Sequence, residues 1–484
     1  MSSQRLGNLV PDAPLTDAER RLPIAGVTTD SRAVEPGFLF VAVPGTRADG
    51  ISFVPAAVAA GAAAVLAEKS VELPPGVPLV RVADVRRALA QVARRFYPHA
   101  PATIAAVTGT NGKTSVAAFL RQIWTALGHP AASLGTIGLV SPKGEDNSNL
   151  TTPDPLALHR IADRLAGEGV THLAIEASSH GLDQHRLDGL KLAAGAFTNL
   201  SRDHLDYHET VEAYRAAKLR LFSEVLPVGA AAVICADGAE AEHFCAAALR
   251  RGLRLFTVGR RGRDITLLSA EPEGFGQNLR VSYRGEEFSI NLPLAGDFQV
   301  ENTLVAAGLA LATGGAPDRV FDALENLAGA KGRLERAGEI KGALVVIDYA
   351  HTPDALANVL ETLRPYAKNR LIALFGAGGD RDPGKRPLMA AAAAEKADLV
   401  IVTDDNPRSE DPAHIRSQVL AGAPDAREIG DRAEAIAAAV AALKEGDVLL
   451  VAGKGHETGQ IIGDRTLPFS DHEAVRAAIE AQKK

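Results

Sequence analysis

The sequence predicts an α/β protein organised in three sections. Short apolar, β-rich runs alternate with alanine-rich helical stretches, the pattern of sheets covered by helices. A glycine-rich turn stands directly between a buried-strand run and an apolar-periodic helix, beginning at Thr108. In the last third, four apolar runs each lead into a polar or glycine-rich loop.

The first section runs to about residue 98. It holds the strand candidates Phe38 to Val43 and Pro78 to Val82, and prolines in Tyr97-Pro-His-Ala-Pro101 mark its end. The second, residues 99–336, opens with the strand pattern Thr103 to Val107 and a helix from Thr114 to Leu127. Further strand candidates are His172 to Ile175, Ala193 to Thr198, Ala231 to Cys235 and Leu253 to Val258. Several are apolar throughout, as parallel strands covered on both faces are. Between Ile265 and Leu294 polar and apolar residues alternate, which predicts an antiparallel insert. The third section, residues 337–484, contains Leu344 to Ile347, Leu371 to Phe375, Leu399 to Val402 and Val448 to Val451. Ligands bind at the carboxyl ends of strands in open parallel sheets, so the four loops that follow predict a binding rim.

The bulk numbers bound the possibilities. At 484 residues the chain is too long for one ordinary core. Hydrophobic residues at 46% and charged residues at 23% are ordinary for a globular protein. A net charge of −7 offers no general attraction to nucleic acid or anionic lipid, so neither is an expected partner. Two cysteines, Cys235 and Cys245, fit a reducing compartment and make no disulfide framework. Met1 to Val10 lacks the apolar core of a signal peptide. The longest apolar stretch, Val54 to Ala67, is shorter than the roughly 20 residues that span a bilayer and reads as a buried helix. A cytoplasmic, soluble protein is expected.

The sharpest motif is Thr108-Gly-Thr-Asn-Gly-Lys-Thr114. Backbone amides of such a loop surround phosphate oxygens, a lysine at position 113 reaches the β/γ-phosphates, and Thr114 can ligate Mg²⁺. Val107 stands where the strict P-loop pattern has its first glycine. A glycine turn before an ordinary helix is the plainer alternative, but strand, turn and helix in order favour a nucleotide site. Glu176 follows a strand, and His204 lies in the stretch Asn199 to His208. Mg²⁺ prefers oxygen ligands and keeps waters, so few protein ligands suffice, although an acidic residue at a strand end is more often simply solvated. Lys218, on its own, reads as a helix-surface lysine. The histidines His180, His185, His208, His351 and His456 show no zinc spacing. With no G-x-S-x-G elbow, covalent catalysis is disfavoured. Arg381, Lys385, Arg386 and Arg408 add positive charge to the C-terminal rim, where arginine suits carboxylates; scattered surface arginines are the alternative.

Taken together, these residues resemble the Mur ligase family, and within it the members that add the third residue of the peptide. The resemblance covers nearly the whole chain: Thr29-Asp-Ser-Arg32, the glycine loop, Thr151-Thr-Pro-Asp-Pro155, Glu176 to Arg186, Asn199 to His208, Lys218 and Lys331 to Glu335. It continues through Asp348 to Asp354, Gly378 to Asp382, Asp405-Asn-Pro-Arg408 and Gly453 to Glu457. Val107 agrees with the family's own loop.

The resemblance implies a small α/β domain for the UDP end, a central P-loop ATPase domain with a parallel sheet, and a Rossmann-like C-terminal domain for the incoming amino acid. It implies ATP and Mg²⁺ as cofactors; a monomer is the separate expectation for the chain. Ser31 and Arg32 match positions that meet UDP; Thr151, Thr152, Ser178, Gln184 and Arg186 match those that hold the UDP-N-acetylmuramoyl dipeptide. Gly109, Thr110, Asn111, Gly112, Lys113, Thr114, Ser115, Asn302, Arg333 and Asp348 match residues around ATP. Thr114, Glu176, His204 and Lys218 match metal positions, Lys218 as a carbamylated lysine, which replaces its surface reading. Lys113, Lys218, Glu176 and His204 are thereby the catalytic candidates.

Arg381, Asp405, Asn406, Pro407, Arg408, Gly453 and Glu457 match the amino-acid pocket. The implied reaction is joining of meso-2,6-diaminopimelate to the D-glutamate γ-carboxylate through an acyl phosphate. Arg408 would meet the distal carboxylate of diaminopimelate and repel the ammonium of lysine. An L-lysine-adding ligase, a folylpolyglutamate synthetase relative and a non-ligating nucleotide switch are the rival expectations.

Overall fold

The computed structural model describes residues 4–45, 49–146 and 150–483, apart from the side chains of residues 205 and 206. Residues 1–3, the start of the stretch read above for a signal peptide, lie outside the described residues. The chain packs into two compact units, Met1–Asp264 with Val305–Pro317, and Ile265–Leu304 with Asp318–Lys484.

The first unit begins with a four-stranded parallel sheet of Gly26–Thr28, Phe38–Val41, Ala64–Ala67 and Leu79–Arg81, in that order. Leu39, Val41, Ala64, Leu66 and Val80 face one core with Leu89, Val92 and Phe96 of the helix Val85–Phe96, while Phe40 and Val65 face another. That alternation is the period of two expected of strands buried on both faces. The stretch Val54 to Ala67 is not one helix. The helix Val54–Ala59 ends at Gly61, whose φ of 100° suits glycine, and the chain re-enters the sheet at Ala64–Ala67. Alanine fits both structures, so composition could not reveal the break.

The larger sheet of this unit places Thr103–Thr108 between His172–Glu176 and Ala194–Phe197, all parallel. Ala131–Gly135 continues one side, and Ala231–Cys235 and Arg254–Gly259 the other. The glycine loop leaves the central strand where neighbours run to either side, the place at which parallel sheets bind ligands. Helices Lys113–Ala126 and Pro155–Gly167 begin at this edge; the second is capped by Asp154, whose Oδ1 accepts from the amides of Leu156 and Ala157.

In the second unit, Ile265–Glu273, Gly276–Tyr283 and Glu286–Leu292 form the expected antiparallel meander. A second sheet runs Glu335–Ile340, Ala343–Asp348, Val448–Ala452, Leu371–Phe375, Leu399–Val402, Arg427–Glu428. All its pairings are parallel except the first, so the loops after the four anticipated strands share one edge. Two apolar clusters cover its faces, one with Leu356, Leu360, Met389 and Ile415, the other with Ile436, Val440 and Val475. Among the described residues, no helix is long and apolar enough to cross a membrane.

Candidate active site

The glycine loop of the first unit is pinned by the end of a neighbouring strand. Thr110 N–H donates to the carbonyl of Asn199 at 2.8 Å, and Asn111 N–H to Asn199 Oδ1 at 3.0 Å. Thr198 Oγ1 donates to the carbonyl of Asn111 at 2.6 Å. Gly109 has φ of 151°, and a Cβ there would lie 1.9 Å from Thr198 Oγ1, so the contact requires glycine. Gly112, with φ of 86°, turns the chain into the helix Lys113–Ala126, whose buried first turn holds Thr114 and Ser115. Lys113 Nζ donates to the carbonyls of Gly109 at 2.9 Å and Thr110 at 2.7 Å, which keeps its ammonium on the loop.

Lys218 is the largest departure from its surface reading. It sits in the last turn of Val211–Arg220 with only 1% of its surface exposed. Its Nζ donates to the carbonyl of Gly109 at 2.7 Å and lies 4.4 Å from the centre of the Tyr214 ring. Burial, and then the nearby charge of Lys113, push its pKa well below the ordinary lysine value. The Tyr214 hydroxyl shares a 3.1 Å hydrogen bond with Thr110 Oγ1, and burial raises its pKa to about 12.

Glu176 is buried at the end of its strand, where Oε1 accepts from Thr136 N–H at 2.8 Å and Oε2 from Thr136 Oγ1 at 3.1 Å. These partners are neutral, and none of the described ion pairs includes Glu176. A buried carboxylate without a cation is a site that a metal ion would stabilise. Among the described residues no three His, Cys, Asp or Glu side chains group to hold a metal. Mg²⁺ here would therefore need the Thr114 hydroxyl and phosphate or water oxygens beside Glu176. His204, at φ of 52°, is half-exposed; its ring lies 4.9 Å from that of His180 and 6.0 Å from that of Tyr214.

The residues matched to the dipeptide substrate form one bonded set. Thr151 Oγ1 and Thr136 Oγ1 are 3.0 Å apart, and Thr152 Oγ1 donates to the carbonyl of Glu176 at 2.7 Å. Ser178 N–H donates to Thr152 Oγ1 at 3.1 Å. Arg186 Nη1 donates to the carbonyl of Thr152 at 2.6 Å, and its Nη2 to Gln184 Oε1 at 2.8 Å. Gln184 and Arg186 also line a cavity of about 110 Å³ with Thr29, Val43, Arg86, Leu89, Asp154 and Pro155. Ser31 and Arg32 follow the first strand of the small sheet; Arg32 is exposed and chelates Asp30, whose carboxyl it holds down at about 2.

In the second unit, Asp348 Oδ2 accepts from Leu334 N–H and Oδ1 from Ala350 N–H, both at 2.7 Å. Burial raises its pKa against the lowering effect of Arg333. Arg333 lies over the Tyr349 ring at 4.9 Å. Its carbonyl accepts from Gln299 Nε2 at 3.3 Å, and Gln299 Oε1 accepts from Asn302 Nδ2 at 3.2 Å. Asn302, Arg333 and Asp348 are thus linked within this unit.

The rim after Leu399–Val402 and Val448–Ala452 is equally connected. Asn406 Nδ2 donates to Glu457 Oε2 at 2.8 Å, and Lys454 Nζ donates to both Asn406 Oδ1 and Glu457 Oε2 at 3.0 Å. Asp405 Oδ2 lies 2.7 Å from where a Gly453 Cβ would be. Arg408, at φ of 51°, follows Pro407 and donates through Nη1 to the carbonyl of Gly379 at 2.8 Å. Arg381 is exposed, donating to the carbonyl of Asp380 at 3.3 Å. Lys454 is fully buried and was not singled out from sequence, although it stands inside the Gly453 to Glu457 motif. Nothing in its local composition distinguishes it from a surface lysine. Arg386 departs from the rim reading: it is buried at 1% exposure and forks onto Glu410 rather than facing solvent.

A pinned phosphate loop with a buried acid and a buried lysine beside it defines a P-loop nucleotide-binding protein, and the second unit adds a loop rim suited to a charged ligand. Family models match three stretches: residues 23–97 as Mur ligase family, catalytic domain; 107–310 as Mur ligase middle domain; and 332–455 as Mur ligase, glutamate ligase domain. A UDP-N-acetylmuramoyl-L-alanyl-D-glutamate–2,6-diaminopimelate ligase of Bradyrhizobium diazoefficiens is 60% identical over 477 residues, 97% of this chain and 98% of that one. The protein of the same name from Caulobacter vibrioides is 56% identical, over 94% and 96% of the two chains. A solved structure of a ligase of that name covers 100% of both chains at 36% identity with a TM-score of 0.76. The chain belongs to the Mur ligase family. A folylpolyglutamate synthase of Mycobacterium tuberculosis, at 20% identity, 76% coverage of this chain and a TM-score of 0.61, shares the fold.

Proposed function

We propose that the protein is an ATP-dependent ligase joining meso-2,6-diaminopimelate to the D-glutamate γ-carboxylate of UDP-N-acetylmuramoyl-L-alanyl-D-glutamate, a step in building the peptidoglycan precursor. The observation that carries this reading is the convergence at Gly109, whose carbonyl accepts from both Lys113 and the buried Lys218. Relatives that are 60% and 56% identical over nearly the whole chain bear the name of that ligase.

The chemistry follows from charge. A carboxylate is a poor electrophile, so its oxygen first attacks the γ-phosphorus of ATP, giving an acyl phosphate and ADP. The amine of diaminopimelate then attacks the acyl carbon, phosphate leaves, and the amine loses its proton. Bringing a carboxylate to a triphosphate crowds negative charge, which Lys113 and the loop amides offset. When bound, Mg²⁺ would add charge neutralisation, held by Thr114, Glu176 and His204, with Lys218 as a further oxygen donor once modified. A lysine held neutral by burial can attack CO₂, lose a proton and become an anionic carbamate; Lys218 has that environment.

Thr151, Thr152, Ser178, Gln184 and Arg186 would hold the dipeptide, with Ser31 and Arg32 at the uridine end. Asn302, Arg333 and Asp348 would serve the nucleotide. Arg381, Asp405, Asn406, Pro407, Arg408, Gly453 and Glu457 would form the amino-acid pocket. The division into three domains at residues 98 and 336, action as a monomer and a cytoplasmic location complete the proposal. Phosphate release that requires the UDP-dipeptide, ATP and meso-diaminopimelate together is its test. Release with the nucleotide alone at the same rate would refute it.

A further inference from the structure

The two loops that present Arg381 and Arg408 are laced to each other from beneath. Arg386, in the first turn of Lys385–Lys396, forks onto Glu410: Nη1 donates to Oε2 and Nη2 to Oε1, both at 2.8 Å. The same guanidinium donates to Gln418 Oε1 at 2.6 Å and to the carbonyl of Gly378 at 3.1 Å. Glu410 Oε1 in turn accepts from Asp380 N–H at 2.6 Å, and Asp380 Oδ1 accepts from Ser409 Oγ at 2.5 Å. Gly379 N–H donates to the carbonyl of Asn406 at 2.9 Å, while Arg408 Nη1 returns a bond to the carbonyl of Gly379. On its other flank, Arg408 N–H donates to the carbonyl of Ile461 at 3.0 Å and its own carbonyl accepts from Gly463 N–H at 2.7 Å.

Asp380 and Arg408 both adopt left-handed backbone, φ of 53° and 51°, which residues other than glycine hold only where surroundings enforce it. The enforcing groups here are the lacing bonds, and their root is the fork of the buried Arg386 on the partly exposed Glu410. The guanidinium holds the Glu410 carboxyl down at about 2, so the fork stays ionised across the working pH range. Fork-to-fork arginine–carboxylate pairs fix geometry as well as charge, which a lysine in place of Arg386 would not do.

We infer that Arg386 and Glu410 are positioning residues for amino-acid specificity: they set the spacing of Arg381 and Arg408 without touching the substrate. The inference rests on the amino-acid pocket proposed above. In Glu410→Ala both the fork and the Asp380 bond are lost, and KM for meso-diaminopimelate should rise about tenfold or more, with KM for ATP and for the UDP-dipeptide within about twofold. Glu410→Gln keeps an oxygen for Asp380 N–H and should recover most of that loss. Arg386→Lys keeps the charge but loses the fork, while Glu410 still accepts from Asp380 N–H; it should raise the same KM about threefold or more, which decides the matter if Glu410→Ala does not fold. A KM for the amino acid unchanged in a folded variant, or all three KM values rising together, overturns the inference. No turnover by the unmodified protein with meso-diaminopimelate would overturn the ligase reading and this inference with it, whereas normal turnover with an unmoved KM overturns this inference alone.

Discussion

An amine enclosed as completely as that of Lys218 is easier to hold neutral than charged, because its surroundings replace water with a ring face, one carbonyl and a like charge on Lys113. Replacing such a group by an apolar one of similar length is often neutral for stability or better. Lys218→Met should therefore keep or raise the thermal midpoint while ligation falls by about 100-fold or more, measured by thermal unfolding beside phosphate release. Lys218→Arg, which cannot take up CO₂ as an uncharged amine, should be equally inactive; a fully active arginine variant would remove the carbamate from the account. Lys113→Ala should abolish peptide-bond formation, since it removes the loop cation proposed to offset the charge of the triphosphate. In the proposed amino-acid pocket, Arg408→Ala should narrow the preference for meso-diaminopimelate over L-lysine more than it weakens ATP binding, read from KM for each amino acid and a nucleotide titration.

At the scale of elements, the phosphate loop depends on a contact that tolerates no side chain. Gly109→Ala would drive a methyl into Thr198 Oγ1 and force a left-handed backbone on alanine, so nucleotide affinity should fall by about tenfold or more in an equilibrium titration, with the sheet beneath intact. Buried histidines give the elements a pH signature. Burial lowers His159, His172 and His456 to about 4, so each stays neutral in the folded protein. In the unfolded chain they protonate near 6.5; stability from this source is complete above that pH and is lost as pH falls toward 4. The thermal midpoint should drop across that window, and His159→Leu should make the slope shallower. The phosphate loop was legible in sequence because an apolar strand, two glycines and an apolar-periodic helix occupy consecutive positions. Lys218 was legible only through the family resemblance, and Lys454 and the Arg386–Glu410 fork not at all: a long cationic side chain looks the same in sequence whether its helix or loop faces water or a neighbouring element. The break at Gly61 was hidden for a related reason, since alanine on either side of it satisfies helix and strand alike.

For the molecule as a whole, the proposed function draws on groups from each of two sheets. One bears a loop for phosphate with a bonded threonine, serine, glutamine and arginine set beside it; the other bears a rim rich in paired charge. Family membership, matched at 23–97, 107–310 and 332–455, extends across both. A nucleotide switch would need the loop alone, whereas a ligase needs an acid, an amine and ATP before phosphate is released. The most direct measurement is phosphate release by the purified protein with ATP and the UDP-dipeptide across a panel of amino acids. Release that depends on all three reactants, is strong with meso-diaminopimelate and is negligible with L-lysine is the predicted result; release that proceeds equally well without an amino acid would contradict the account.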